Sequence, residues 1–217
     1  LSVNEERKRS FIYLPEGTNK QKAYLYKNLA QYSKKFHTIL DKIKHSEGIV
    51  FVYADLLKGA LEEFKEVLKV NEYKHLEQTN TSGVDNCNFV YLTGAMNKTK
   101  LSKFVEKIND PTNINGENIK VILASRTLSE GVSLFNIREM HILEPWWNFS
   151  RIDQVIGRGV RRQSHINLPK EKQNITIYLH CLSDPEGKET YDEYIYRTAY
   201  NKLKTVSKIT KVLKENA

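Results

Sequence analysis

Apolar residues recur at helical spacing through residues 17–47, at Ala23, Tyr26, Leu29, Tyr32, Phe36, Ile39, Leu40 and Ile43. Gly48 breaks that period, and Ile49-Val-Phe-Val-Tyr53 follows as a continuous apolar run. Five β-branched and aromatic residues in a row read as a buried strand. The helical period returns over 55–70 through Leu56, Leu57, Leu61, Phe64 and Leu68. Residues 76–88 are polar and read as a loop. The pattern then predicts strands at 89–92, 119–124, 140–143 and 175–180. It predicts helices at 98–108, from just after Ser150, and over 187–214. A turn-rich connection falls at 110–117. Strands alternating with helices predict an α/β fold, a parallel sheet covered on both faces with a C-terminal helical extension. The expected divisions are a helical lead-in over 1–47, the sheet domain over 48–182 and a helical brace over 183–217.

Composition narrows this picture. The 217 residues suit one compact domain with an extension, and 40% hydrophobic content excludes wholesale disorder. No run approaches the 18 apolar residues of a membrane span. The polar start without Met is not a secretory signal, and points to a processed chain or a piece of a longer one. Two cysteines, Cys87 and Cys181, cannot build a disulfide framework and are expected as reduced thiols. The six His show no ligand spacing, so no metal site is expected. The formal charge of +8 suits a polyanionic partner, nucleic acid first.

The arginines carry more information than the net charge. Six of the nine fall between 126 and 162, whereas lysine is spread along the whole chain. Arginine grips phosphate with two parallel bonds and a charge that does not titrate. The densest stretch is Ser150-Arg-Ile-Asp-Gln-Val-Ile-Gly-Arg-Gly-Val-Arg-Arg-Gln163. Ser150 with Asp153 is a candidate capping box. On a helix, Gln154, Arg158 and Arg161 would share one face, with Ile152, Val155, Ile156 and Val160 toward the sheet. Gly157 and Gly159 are each about 1 kcal/mol worse than Ala in a helix. Close approach of another backbone or of a phosphate chain would justify them.

Gln154-Val-Ile-Gly-Arg-Gly-Val-Arg161 resembles motif VI (QxxGRxxR) of superfamily 2 helicases and translocases. Residues 119–134 resemble motif V, a strand running into a Gly-bearing loop. Met140-His-Ile-Leu-Glu-Pro-Trp-Trp-Asn148 is similar to the segment before motif VI in Swi/Snf-type ATPases. Gly48–Tyr53 resembles motif IV, Tyr91-Leu-Thr-Gly94 the strand-turn after it, and the tail from Thr190 the family's C-terminal brace. The finer likeness is to helicase-like NTPases of large nucleocytoplasmic DNA viruses, the group that includes poxvirus early transcription factor and nucleoside triphosphatase I.

The resemblance implies a RecA-like fold and a second lobe, because no GxxxxGK[ST] loop is present and no DExx segment stands at the end of a hydrophobic strand. Those elements cradle the phosphates and hold Mg²⁺ on the first lobe. It implies ATP and Mg²⁺ as cofactors, with the first lobe of the same polypeptide, nucleic acid (DNA or RNA) and transcription machinery as partners. It implies no membrane, and a place in host cytoplasm, a viral factory or a virion. Alone, such a lobe would bind ATP weakly and hydrolyse nothing. By motif, Arg158 and Arg161 carry over as arginine fingers. Gln154 and Gly131 fall at the nucleotide, with Ser133 where many members place a ribose-binding Asp. Ser125, Arg126, Thr127, Thr93 and Tyr53 fall on the nucleic-acid side, Arg162 being an added candidate there.

Two other readings stay open: a non-catalytic nucleic-acid-binding module, and a different nucleotide-binding α/β enzyme. Of the two tryptophans, one is expected in the core and one at an interface. Glu144 is expected either to pair with an arginine or to be solvated. Tyr194, Tyr196 and Tyr200 are expected as a packing face of the tail helix.

Overall fold

The computed structural model describes residues 11–77, 88–125 and 132–215. A sheet of six strands runs through the centre, and every recorded pairing is parallel. The strands are β1 (Ile49–Tyr53), β2 (Lys74–His75), β3 (Asn88–Leu92), β4 (Val121–Ala124), β5 (Ile137–Ile142) and β6 (Thr176–Leu179). Their order across the sheet is β2-β3-β4-β1-β5-β6. β1 sits between β4 and β5, which is why all five of its residues are buried.

Alternation along β1 divides the interior in two. Val50 and Val52 face one core with Phe36, Ile39, Leu40, Phe64 and Leu68. Those partners stand on α3 (Lys34–His45) and α4 (Glu62–Val70), beside the short α1 (Lys20–Tyr24) and α2 (Tyr26–Tyr32). Ile49 and Phe51 face the other core with Phe104, Ile108, Ile152 and Val155. These come from α5 (Lys98–Ile108) and α6 (Phe149–Ile156). The last helix, α7 (Tyr191–Glu215), leaves the sheet beyond β6.

Several boundaries differ from the sequence expectation for identifiable reasons. The helical stretch 17–47 is three helices, broken at Leu25 and at Ser33. Ser33 takes an extended backbone and accepts from the Phe36 amide (3.2 Å) while its hydroxyl donates to the Phe11 carbonyl (2.6 Å). The helix expected from 55 becomes regular only at Glu62. Gly59, at φ +80°, sits in an irregular turn whose carbonyl receives the Phe11 amide at 2.9 Å. α7 begins at Tyr191, behind a capping box: the Thr190 hydroxyl accepts from the Glu193 amide (3.2 Å) and Glu193 accepts from the Thr190 amide (2.7 Å).

Candidate nucleotide and nucleic-acid site

The C-terminal ends of β3, β4, β1 and β5 open on one edge of the sheet, where ligands of open α/β folds bind. Thr93 and Ser125 follow β3 and β4 there, linked by the Ser125 amide on the Leu92 carbonyl (3.2 Å). Thr93 is half-buried and Ser125 is buried. Arg126, Thr127 and Gly131 lie outside the described residues.

The capping expectation for motif VI is corrected. Asn148, not Ser150, caps α6, its side chain accepting from the Arg151 amide at 3.3 Å. The helix is also shorter than expected and ends at Ile156. Gly157 and Gly159 turn the chain instead, so Gln154, Arg158 and Arg161 do not share a helical face. Ile152 and Val155 are buried as expected, but Ile156 is half-buried and Val160 exposed. Gly159 has a packing reason: a Cβ there would stand 3.2 Å from Met140 Cε and 3.4 Å from Ile137 Cβ. Its bare backbone lies against β5, and that brings the arginine turn down onto the sheet.

The turn is fixed to the segment before β5. The Leu134 amide donates to the Arg158 carbonyl (3.1 Å) and the Asn136 amide to the Ser164 carbonyl (2.8 Å). Asn109, at the end of α5, holds the same segment by its side chain: Nδ2 donates to Ser133 O and Oδ1 accepts from the Phe135 amide, each at 2.9 Å. The guanidinium of Arg161 donates from Nη1 to the Ser133 hydroxyl and from Nε to the Gly157 carbonyl (3.0 Å). Two residues assigned from different motifs therefore touch. Arg161 is exposed, Arg158 half-buried, and Gln154 and Arg162 exposed.

Sequence reasoning missed the posts under this turn. His165 Nε2 lies 2.6 Å from the Ile137 carbonyl, which can only accept, so that nitrogen carries the proton. Its Nδ1 then accepts from the Ser164 hydroxyl at 2.8 Å. The pair Ser164-His165, separated from Arg161-Arg162 by Gln163 alone, was the available local signal in the sequence.

The tryptophan segment also differs. Neither ring is buried: Trp146 is half-buried and Trp147 is 39% exposed. Arg151 lies over Trp146, its guanidinium carbon 3.9 Å from the ring centre. Trp147 packs edge-on against Tyr191 and Tyr194 of α7, at 6.4 and 6.1 Å between centroids. Glu144 neither pairs with an arginine nor meets solvent. Its buried carboxylate accepts from the amides of Asp55 and Leu56 (2.8 Å for the latter), and burial raises its pKa. Tyr53 is buried too, its hydroxyl donating to Asp55 Oδ1 (3.0 Å); burial, then the Asp55 charge, push its pKa up. Of the tail tyrosines, Tyr196 is half-buried against the core, while Tyr200 is 60% exposed. Among the described residues no three His, Cys, Asp or Glu side chains are grouped to hold a metal ion, and no helix is long and apolar enough to cross a membrane.

The family model described as helicase conserved C-terminal domain matches residues 34–163. The chain belongs to that family. It is 36% identical over 166 residues to a candidate ATP-dependent RNA helicase of Acanthamoeba polyphaga mimivirus, covering 76% of this chain and 28% of that protein. It is 31% identical over 187 residues to an uncharacterized killer-plasmid helicase of Kluyveromyces lactis, covering 86% and 30%. A termination factor NPH-I homolog of African swine fever virus matches at 28% identity, covering 85% and 32%. The helicase C-terminal domain chain thus spans roughly a third or less of these relatives. Among solved structures, the C-terminal part of the Fun30 ATPase domain superposes with a TM-score of 0.57 at 16% identity, covering 77% of this chain and 45% of that one. That likeness establishes the fold alone. The matched span 34–163 takes in α3 to α6 and the arginine turn.

Proposed function

We propose that this chain is the second lobe of an ATP-driven helicase or translocase, lending Arg158 and Arg161 to a nucleotide held on a first lobe. The observation that carries the reading is the exposed Arg161 guanidinium resting on the Ser133 hydroxyl, on a turn bonded to β5. A fork of N–H donors beside a hydroxyl suits phosphate oxygens. Bound ATP with Mg²⁺ supplies the phosphoryl group, and the metal's ligands belong to the first lobe. What this chain contributes is electrostatic. Guanidinium charge aimed where negative charge develops in the transition state is worth about 10³–10⁵ in rate. Gln154 and Gly131 act at the nucleotide beside Ser133.

The nucleic-acid contacts are Thr93, Ser125, Arg126, Thr127 and Arg162, with Tyr53 acting through Asp55. Contacts to the phosphodiester backbone carry no sequence information and so suit movement along a strand. The boundaries at 47 and 182 stand as part of the proposal, with 183–217 as a brace. The partners are nucleic acid and the first lobe, with transcription machinery at the level of the whole protein, in host cytoplasm or virion.

The test is ATP hydrolysis by the full-length polypeptide without polymer and with single-stranded DNA, duplex DNA or RNA. Stimulation by at least one polymer, and no turnover by residues 1–217 alone, is the expected result. Binding of every polymer with no hydrolysis under any condition would replace the motor by a non-catalytic binding module.

A further inference from the structure

We infer that Arg151 is a phosphodiester-binding group held shut by Asp55, and that nucleic acid takes the place of that carboxylate. This rests on the reading of the strand-end edge as a nucleic-acid surface. Arg151 lies in the first turn of α6, and Asp55 follows β1 on that edge. Arg151 Nη2 donates to Asp55 Oδ1 at 2.6 Å, and that oxygen also receives the Tyr53 hydroxyl at 3.0 Å. The two side chains retain 17% and 13% of their exposure, so the pair is within reach of solvent. A small cavity lined by Tyr53, Asp55, Trp146 and Arg151 adjoins them.

The geometry has the properties of an oxyanion site already occupied. A guanidinium lying 3.9 Å over Trp146 is fixed in direction by the ring, while its N–H donors radiate in its own plane. That preorganisation favours two parallel bonds to one oxyanion. Asp55 makes one contact instead, from one oxygen to one nitrogen. Its main chain is held elsewhere, through its amide on Glu144, so the carboxylate can leave Arg151 without moving the strand end. Tyr53 remains as a donor for it there. A phosphodiester is a monoanion with two free oxygens matched to the fork that Asp55 uses only in part. The carboxylate thereby lowers the apparent affinity for phosphate by the fraction of time that it occupies the site.

The test is binding of labelled single-stranded and duplex oligonucleotides by residues 1–217 across a salt series. It compares the parent chain, Asp55→Asn, Arg151→Gln and the double variant. Asp55→Asn keeps an oxygen for Tyr53 and removes the charge. It is expected to tighten binding about tenfold. The slope of log Kd against log salt should stay that of the parent chain, because Arg151 meets one phosphate in either bound state. Arg151→Gln in the same background should erase the gain and flatten that slope by about 0.7 for single strands or 0.9 for duplex, the loss of one phosphate contact. The midpoint of thermal unfolding is read for each variant, and Asp55→Ser makes the same charge removal if the Asn form does not fold. Unchanged or weaker binding by a folded Asp55 variant, with a parent chain that binds, overturns this inference alone. Absence of binding by every variant to every polymer overturns it together with the nucleic-acid reading.

Discussion

The tail helix is tied to the domain by one buried ion pair, and breaking it from one side should be costly. Lys35, on α3, donates from Nζ to the Leu143 carbonyl just past β5 and to Asp192 Oδ2 in the first turn of α7, each at 2.8 Å. The same carboxylate oxygen accepts from the Leu182 amide at 3.0 Å. The side chains are 3% and 12% exposed. Lys35→Met therefore leaves a carboxylate with little water and a carbonyl without its cation. Removing one partner of a buried pair costs about 3–5 kcal/mol. At about 2–4 °C per kcal/mol for a chain of this size, the midpoint should fall by roughly 6–20 °C. The second arm is Lys35→Met with Asp192→Asn, which removes the stranded charge and keeps an oxygen for Leu182. It should recover at least half of the loss, because a neutral replacement carries no desolvation penalty. Urea unfolding of the four species closes the cycle. A single-variant loss under about 1 kcal/mol, or a double variant no better than the single, would refute the account of the pair as a buried pin.

Three shorter expectations follow from other parts of the molecule. His180 Nε2 and His141 Nδ1 lie 2.9 Å apart; burial first, then the neighbouring charges of His141 and Lys35, push the His180 pKa down to about 3. An unfolded His titrates near 6.5, so between those values the unfolded chain binds the extra proton. Stability should fall with pH below about 6.5, by up to about 1.4 kcal/mol per unit from this group, and His180→Phe should flatten that limb in acid-unfolding curves; an unchanged limb refutes it. Gly159→Val drives a branched side chain into Met140 and Ile137 and should cost about 1–3 kcal/mol in thermal unfolding, and a neutral result would remove the packing reason for that glycine. In α7, Asp192, Ile195 and Ala199 are buried whereas every residue from 200 to 215 is exposed, and an undocked helix of this length is marginal. Amide exchange should be slow through Ala199 and fast beyond Leu203, and uniform protection to the C-terminus would contradict that division.

The sheet was legible because its signals are local. Runs such as Ile49–Tyr53 and Val121–Ala124 are apolar on both faces, and only a central parallel strand buries both. Helix termini were less legible because they depend on single side chains. Asn148 rather than Ser150 is the cap of α6, a choice that turns on one side-chain contact to the Arg151 amide. The arginine motif marked the site, but its extrapolation as one helical face failed at Gly157 and Gly159, and the reason for Gly159 is Met140 and Ile137, on a strand about 20 residues upstream. Asn109 and Asp55 carried no sequence signal, and Arg151 only its place in the arginine-rich stretch, since each matters through a partner distant in the chain. Glu144 shows the same limit: its burial under two backbone amides is a property of where β1 and β5 end side by side.

The central claim is that Arg161 stabilises charge on a nucleotide that another lobe holds. Steady-state ATP hydrolysis by the full-length polypeptide, with its stimulating polymer saturating, tests it through Arg161→Ala and Arg161→Lys. The account predicts a fall in kcat of about 10³ or more for both, because lysine lacks the fork, with KM for ATP little changed. Equal kcat in the variants and the parent protein would contradict it.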